Sequence, residues 1–188
     1  MVRVDLALVH YPVVNRAGEL TAAAVTNLDL HDIARAGRTY GVDTVWIVTP
    51  DARQQEIAGR LVAHWTEGYG AAVNPDRKEA LSRVRFCADL EETVQAARDK
   101  WNTRPTVLAT SAALESETVS CPDVRCRLAG GEPMLLLFGT AWGLAPEVLA
   151  AADGVLPAIR GTGTFNHLSV RSAVSIILDR LLAPGGER

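Results

Sequence analysis

Three groups of residues have types and spacing that could do chemistry. Gly139-Thr140-Ala141-Trp142-Gly143-Leu144 follows the apolar run Met134-Leu135-Leu136-Leu137-Phe138, and Arg160-Gly161-Thr162-Gly163-Thr164 follows Val155-Leu156-Pro157-Ala158-Ile159. Glycines let a backbone come close to a ligand with no side chain between. Asn166 and Ser169 stand just before a third apolar stripe. There Asn166 is suited to cap a helix, whose first-turn amides, with Ser169, can hold a carboxylate or orient a polar ligand. Two glycine turns beside one capped helix point to a pocket for a small, partly charged cofactor; taken singly, each reads first as a turn and nothing more. The third group is near the start, where His31, Arg35 and Arg38 form a row at helical spacing. Such a row is either a solvated helix face or a contact for phosphates and bases.

The elements that must position these groups are legible around them. Residues 4–9, 45–49, 84–88, 106–110 and 134–138 are short apolar runs that read as buried strands, with 155–159 as a further segment. Between them lie helical stripes: Leu30, Ile33, Ala34 and Gly37; a segment from Pro50-Asp51 to about Trp65; and Leu90, Val94 and Ala97. Asn27 or Asp29 can cap the first helix, Asp32 suits its positive end, and Gly41 ends it. The last stripe is Val170, Ala173, Val174, Ile177, Leu178 and Leu181. Asn74-Pro75-Asp76-Arg77-Lys78 reads as a polar turn with two cations, His64-Trp65 as a partly buried structural pair, and 115–132 as a surface loop with a short helix. Pro184-Gly185-Gly186-Glu187-Arg188 reads as a frayed tail. Strands alternating with helices predict an α/β fold with a mainly parallel sheet, whose ligands sit beyond the strand carboxyl ends. Thr110 and Ser111 then reach the same edge as Gly139 and Thr140. The first strand is followed by His10-Tyr11-Pro12, not a glycine-rich loop, which weakens an ordinary dinucleotide-binding reading.

Composition bounds the rest. At 188 residues the chain suits one domain, taken as 1–188. No apolar run approaches the roughly 20 residues of a membrane helix, and the first residues lack the pattern of a signal peptide, so a cytoplasmic protein without membrane partners is expected. Cys87, Cys121 and Cys126 fit no usual metal spacing and read as reduced thiols; no metal is expected. The net charge of −3 argues against a basic surface overall but leaves room for a local nucleic-acid patch.

Leu136-Leu137-Phe138-Gly139-Thr140-Ala141-Trp142-Gly143-Leu144 and Phe165-Asn166-His167-Leu168-Ser169-Val170-Arg171-Ser172-Ala173 resemble the two C-terminal motifs of the SPOUT methyltransferases. These are trefoil-knotted enzymes that methylate RNA with S-adenosylmethionine (SAM), and the likeness is to a bacterial family related to the tRNA guanine-N1 methyltransferases. Thr26-Asn27-Leu28-Asp29-Leu30-His31-Asp32-Ile33-Ala34-Arg35 and the Tyr11-Pro12 turn fit that family too. The resemblance implies a deep knot over about 134–182, a homodimer whose RNA site spans the interface, and SAM held largely by backbone groups. It assigns the cofactor to Thr110, Phe138, Gly139, Thr140, Gly143, Leu156, Ile159, Gly161, Asn166 and Leu168. Asp29 becomes the candidate base if the acceptor is a ring nitrogen, or it is only a helix cap. Arg35 resembles the arginine of the first SPOUT motif, which binds RNA or assists proton removal, and Asn166 and Ser169 would orient the acceptor base or the cofactor carboxylate. Ala141 stands where the family typically has another glycine and Phe165 where tyrosine is common. The expected substrate is RNA, tRNA in particular, with a catalytically inactive SAM-binding or regulatory module as the alternative.

Overall fold

The computed structural model describes residues 2–112 and 118–184. The expected tail falls almost wholly on 185–188, and part of the expected 115–132 loop on 115–117; both lie outside the described residues. The first part of the chain gives β1 (Val4–Val9), β2 (Val13–Val14), β3 (Leu20–Thr21), α1 (Asn27–Thr39), β4 (Thr44–Val48) and α2 (Ala52–Thr66). Then come α3 (Tyr69–Val73), α4 (Pro75–Leu81), β5 (Val84–Cys87), α5 (Leu90–Trp101), β6 (Thr106–Ala109) and α6 (Cys121–Ala129). The last part supplies β7 (Met134–Gly139), α7 (Pro146–Ala151), β8 (Gly154–Val155) and α8 (Val170–Leu182).

Six strands form one sheet in the order β5-β4-β1-β7-β6-β8, and every pairing in it is parallel. The apolar runs are unbroken because helices cover both faces, so successive side chains are all buried. On one face Leu6, Leu8, Ile47, Leu136 and Phe138 pack with Leu30 and Ile33 of α1 and with Val174, Ile177 and Leu178 of α8. On the other, Ala7, Val9, Trp46, Val48, Leu135 and Leu137 meet Leu144 and Val148, with Leu90 and Val94 of α5 against them.

The helices α1 and α8 run side by side in the same direction. Arg171 at the start of α8 pairs with Asp29 and Asp32 at the start of α1, and Tyr40 just past the end of α1 donates to Asp179 late in α8. Both N-termini therefore sit at the carboxyl edge of the sheet, where β1 hands the chain to α1.

Several local readings change. Thr26, not Asn27 or Asp29, caps α1: its Oγ1 accepts from the Asp29 amide and donates to Asp29 Oδ2 at 2.7 Å. Residues 74–78 are not a turn but the start of α4, capped by Asn74 with Pro75 in its first turn, and Arg77 lies over the Trp65 ring at 4.3 Å. Beyond Val155 the 155–159 segment leaves the sheet, since Pro157 offers no amide to a ladder. The Asn15-Arg16-Ala17-Gly18 turn joins the small antiparallel pair β2–β3. All three cysteines are free. No helix among the described residues is long and apolar enough to cross a membrane, and their side chains form no cluster of three or more His, Cys, Asp or Glu placed to hold a metal ion.

Candidate active site at the carboxyl edge of the sheet

The floor of the site is made by strand ends fastened to one another. Thr110, after β6, donates its hydroxyl to the Leu137 carbonyl at 2.9 Å, and Thr140, after β7, donates its hydroxyl to Val9 at 3.0 Å. The Leu156 amide adds a bond to the Ala109 carbonyl at 2.9 Å. Each carbonyl also accepts the amide of the same threonine, so the hydroxyl adds a second bond to an oxygen with two lone pairs. Phe138 is fully buried, so only its backbone is available to a ligand. Leu156 is likewise a core side chain, and Ile159 packs at the core margin.

The glycine turn after β7 is rigid. A Cβ on Gly139 would lie 2.4 Å from the Leu144 amide nitrogen and 2.7 Å from the Gly143 carbonyl carbon, so the tight return of the chain demands glycine there. Ala141 adopts φ +51°, in the left-handed region that disfavours any residue with a Cβ. That is the physical reason a glycine is expected at this position. Three backbone bonds tie the turn to the segment after β1: Trp142 to the Val14 carbonyl, Val14 to the Gly143 carbonyl, and Ala145 to the Pro12 carbonyl. Trp142 is held on this turn with its ring 61% exposed.

The second glycine segment is open. A Cβ on Gly161 or Gly163 would meet nothing within 4 Å. Asn166 does not cap α8; its Nδ2 donates to the Ala112 carbonyl at 3.2 Å, linking this segment to the end of β6. Ser169 is the cap, its Oγ accepting from the Ser172 amide. Leu168 is half-exposed and Phe165 largely so.

Across from this segment stands the first turn of α1. Asp29 is almost buried, with Arg171 Nε 3.5 Å from its Oδ1 and the Thr26 hydroxyl on its Oδ2. Arg171 Nη1 also reaches Asp32 Oδ2 at 3.3 Å. Arg35, one turn on from Asp32, is exposed and makes no side-chain bond among the described residues. Arg35 and Arg171 share an open groove of about 550 Å³ between α1 and α8 with Asp32, Thr39, Ser172 and Ser175. The expected row along α1 does not act as a unit. His31 turns its ring edge-on to Trp65 and Arg38 pairs with Glu79, which leaves Arg35 facing the groove.

Gly139, Thr140 and Thr110 thus share one edge, Asn166 is bonded to that edge through Ala112, Asp29 and Ser169 stand where α1 and α8 begin, and Arg35 lies further along the groove between the two helices. Sequence reasoning missed Arg171, which lies inside the quoted C-terminal motif; no local spacing announces a pairing with a residue so far back in the chain. The site fits SAM in two respects visible in the fold. The return at Gly139 brings bare backbone to the edge where a side chain cannot stand, and the cofactor's carboxylate is matched in kind by the start of α8.

A family model described as SAM-dependent RNA methyltransferase matches residues 3–183. A tRNA (guanine-N(1)-)-methyltransferase of Oleidesulfovibrio alaskensis is 47% identical over 176 residues, which are 94% of this chain and 41% of that protein. The chain spans about two-fifths of the length of that relative. An uncharacterized protein of Aquifex aeolicus is 35% identical over 181 residues, 96% of this chain and 88% of that one. Among solved structures, the TrmH/SpoU tRNA modifying enzyme of A. aeolicus shares the fold with a TM-score of 0.59 at 17% identity, covering 97% of this chain and 75% of the other.

Proposed function

The chain belongs to a family of SAM-dependent RNA methyltransferases, and from that premise we propose that it methylates RNA, with a guanine ring nitrogen of tRNA as the acceptor. One observation supports this most: two helix N-termini, an arginine-held carboxylate and a bare-backbone return converge on one edge of a parallel sheet. The guanine assignment draws on the name of the longer O. alaskensis relative.

SAM, when bound, supplies a methyl group made electrophilic by a sulfonium. Backbone groups around Gly139, Thr140, Gly143, Leu156, Ile159, Gly161 and Leu168 would hold it, with Thr110 and Phe138 beneath and Asn166 fixing the segment above. The protein's own task is then to align an acceptor and remove its proton. Asp29 is the proton acceptor. Its capping role does not compete, because Thr26 supplies the cap and leaves Asp29 Oδ1 toward Arg171. Arg171 fixes the carboxylate, Ser169 sets the start of α8, and Arg35 offers a free guanidinium to an RNA phosphate.

The α1–α8 groove is the surface through which two copies pair, so that one copy's Arg35 serves the other's acceptor; a knot over about 134–182 and a cytoplasmic setting belong to the same reading. A second reading is favoured by the length of the named relative: the chain is a SAM-binding module whose methylating activity resides elsewhere. Incubating the purified chain with bulk tRNA and methyl-labelled SAM separates the two. Label recovered as N1-methylguanosine after digestion is the expected result; SAM binding by calorimetry with no label in any RNA establishes the module instead.

A further inference from the structure

The chain has four tryptophans, and three of them are occupied. Trp46 is buried and donates its Nε1 proton to Asp5 at 2.8 Å. Trp65 meets the rings of His31 and His64 edge-on and has the Arg77 guanidinium over its face at 4.3 Å. Trp101 has Lys100 at 4.2 Å and Arg3 at 5.8 Å over its ring. Among the described residues Trp142 alone has no ring partner, cation or side-chain hydrogen bond, and it is 61% exposed.

This exposure is held in place. The Trp142 amide donates to the Val14 carbonyl at 3.0 Å and the Gly143 amide to the Thr140 carbonyl at 2.9 Å, while Ala141 just before the ring is kept at φ +51°. A left-handed alanine persists only where its surroundings over-determine it, and such strain gathers at sites of function. Core packing does not account for a tryptophan whose ring stands in water. Its surroundings suit one kind of occupant. On its other side Val14 pairs with Leu20 of β3, which is exposed, and two residues past Val14 comes Arg16, exposed and without a side-chain bond among the described residues. The one carboxylate of this hairpin, Glu19, accepts from Asn15 Nδ2 at 2.9 Å, and residues 139–145 carry no charge. A free flat ring beside a free guanidinium is the pairing that takes a single-stranded nucleic acid, a base on the ring and a phosphate on the cation.

We propose that Trp142 stacks an unpaired base of the RNA, with Arg16 on a neighbouring phosphate, so that the substrate is held on the β2–β3 side of the carboxyl edge as well as at the α1–α8 groove. The inference rests on RNA as the substrate class. The chemistry of the proposed acceptor supplies the need. N1 of guanine carries a proton that a Watson–Crick pair uses, so an enzyme that methylates it takes the base unpaired and its strand partly unstacked. A ring fixed three residues from Gly139 returns stacking that the strand has lost, and it favours unpaired over duplex RNA.

Tryptophan fluorescence of the full chain, saturated with S-adenosylhomocysteine, tests this by titration with single-stranded oligoadenylate, with the same strand in duplex with oligouridylate, and with bulk tRNA. Oligoadenylate and tRNA are expected to quench the emission, and the duplex to quench it less. The quenching is expected to vanish in Trp142→Phe, which keeps the stacking and so holds its affinity in filter binding within about threefold. Trp142→Ala is expected to lower affinity for both quenching RNAs about tenfold, and Arg16→Ala to weaken binding and flatten its salt dependence. Affinity of each variant for S-adenosylhomocysteine within about twofold of wild type shows that it folds. Emission that bound RNA leaves unmoved, or Trp142→Ala binding RNA as wild type does, overturns the proposal. So does a change of oligomeric state in Trp142→Ala by sedimentation, the ring then belonging to a contact between copies. A chain that binds RNA through Trp142 yet transfers no label from SAM keeps this inference and loses the methyltransferase reading; methyl transfer with an indifferent Trp142 loses this inference alone.

Discussion

Arg171 Nε lies 3.5 Å from Asp29 Oδ1, joining the first turn of α8 to the first turn of α1. The pair is nearly shielded on the Asp29 side, and its arginine bridges onward to Asp32. It fixes the orientation of a carboxylate at the carboxyl edge that caps no helix.

Arg171→Gln is therefore expected to lower the single-turnover methylation rate by about 10²-fold while changing SAM affinity little, because the loss falls on proton removal and alignment. Asp29→Asn is expected to act in the same direction and at least as strongly. Double substitution costing no more than Asp29→Asn alone would establish that the two act as one unit; fully additive losses would separate them.

Arg35→Ala is expected to weaken RNA binding and flatten its salt dependence, since a free guanidinium facing a groove contributes by phosphate contact. Filter binding of tRNA across a series of salt concentrations measures both. If Arg35 serves the acceptor of a second copy, mixing Arg35→Ala with Asp29→Asn restores part of the activity that each lacks alone.

The turn after β7 gives two stability predictions of opposite sign. Ala141→Gly relieves a left-handed backbone and is expected to stabilise by about 1 kcal/mol. Gly139→Ala drives a Cβ into the Leu144 amide, and overpacking against backbone is expected to cost at least about 2 kcal/mol. Urea denaturation of the two variants beside wild type reads both values.

Away from the site, Asp5 is fully buried in β1. It accepts from Trp46 Nε1 at 2.8 Å and is paired with Lys100 Nζ at 2.6 Å, the same ammonium reaching Asp43 at 2.6 Å. Burial pushes the Asp5 carboxyl up, against the pull of Lys100 and Trp46. Lys100→Met leaves that carboxylate buried and unpaired, for an expected loss of about 3–5 kcal/mol at neutral pH. The loss is expected to shrink as the pH falls and Asp5 takes a proton, a dependence that denaturation at pH 7.5 and pH 5 reveals.

His10 supplies a pH test that needs no substrate. Burial holds its basicity below the ordinary histidine value, with Asp29 opposing. Between that ordinary value of about 6.5 and the lowered folded value, the unfolded chain binds more protons than the folded one, so stability rises with pH across that window. The contribution is complete above it and is lost as the pH falls through it. Melting temperatures of wild type are expected to drop more steeply than those of His10→Gln between pH 7.5 and 5.5; parallel curves would contradict the burial-driven shift.

The sheet was largely legible because strands buried on both faces are unbroken apolar runs, and Leu30, Ile33, Ala34 and Gly37 mark the inner face of α1 by period alone. What escaped has a common cause. Residues 13–14 and 20–21 are too short to show any period, and the seven residues of α4 barely complete two turns, so Asn74-Pro75 was readable equally as a turn or as a cap. The Asp29–Arg171 pair depends on parallel register across the whole chain, which local spacing does not encode. Ala141 was visible as a departure from a motif; its positive φ gives that departure a physical cost.

The central strand also sets an order of events during synthesis. One edge of β1 pairs with β4, made soon after it, but the other pairs with β7, which leaves the ribosome only after all the intervening strands and helices. Until then β1 keeps an open hydrogen-bonding edge, and the Val9 carbonyl lacks Thr140, its later partner. The newborn chain is thus most exposed to mispairing with other chains during that interval.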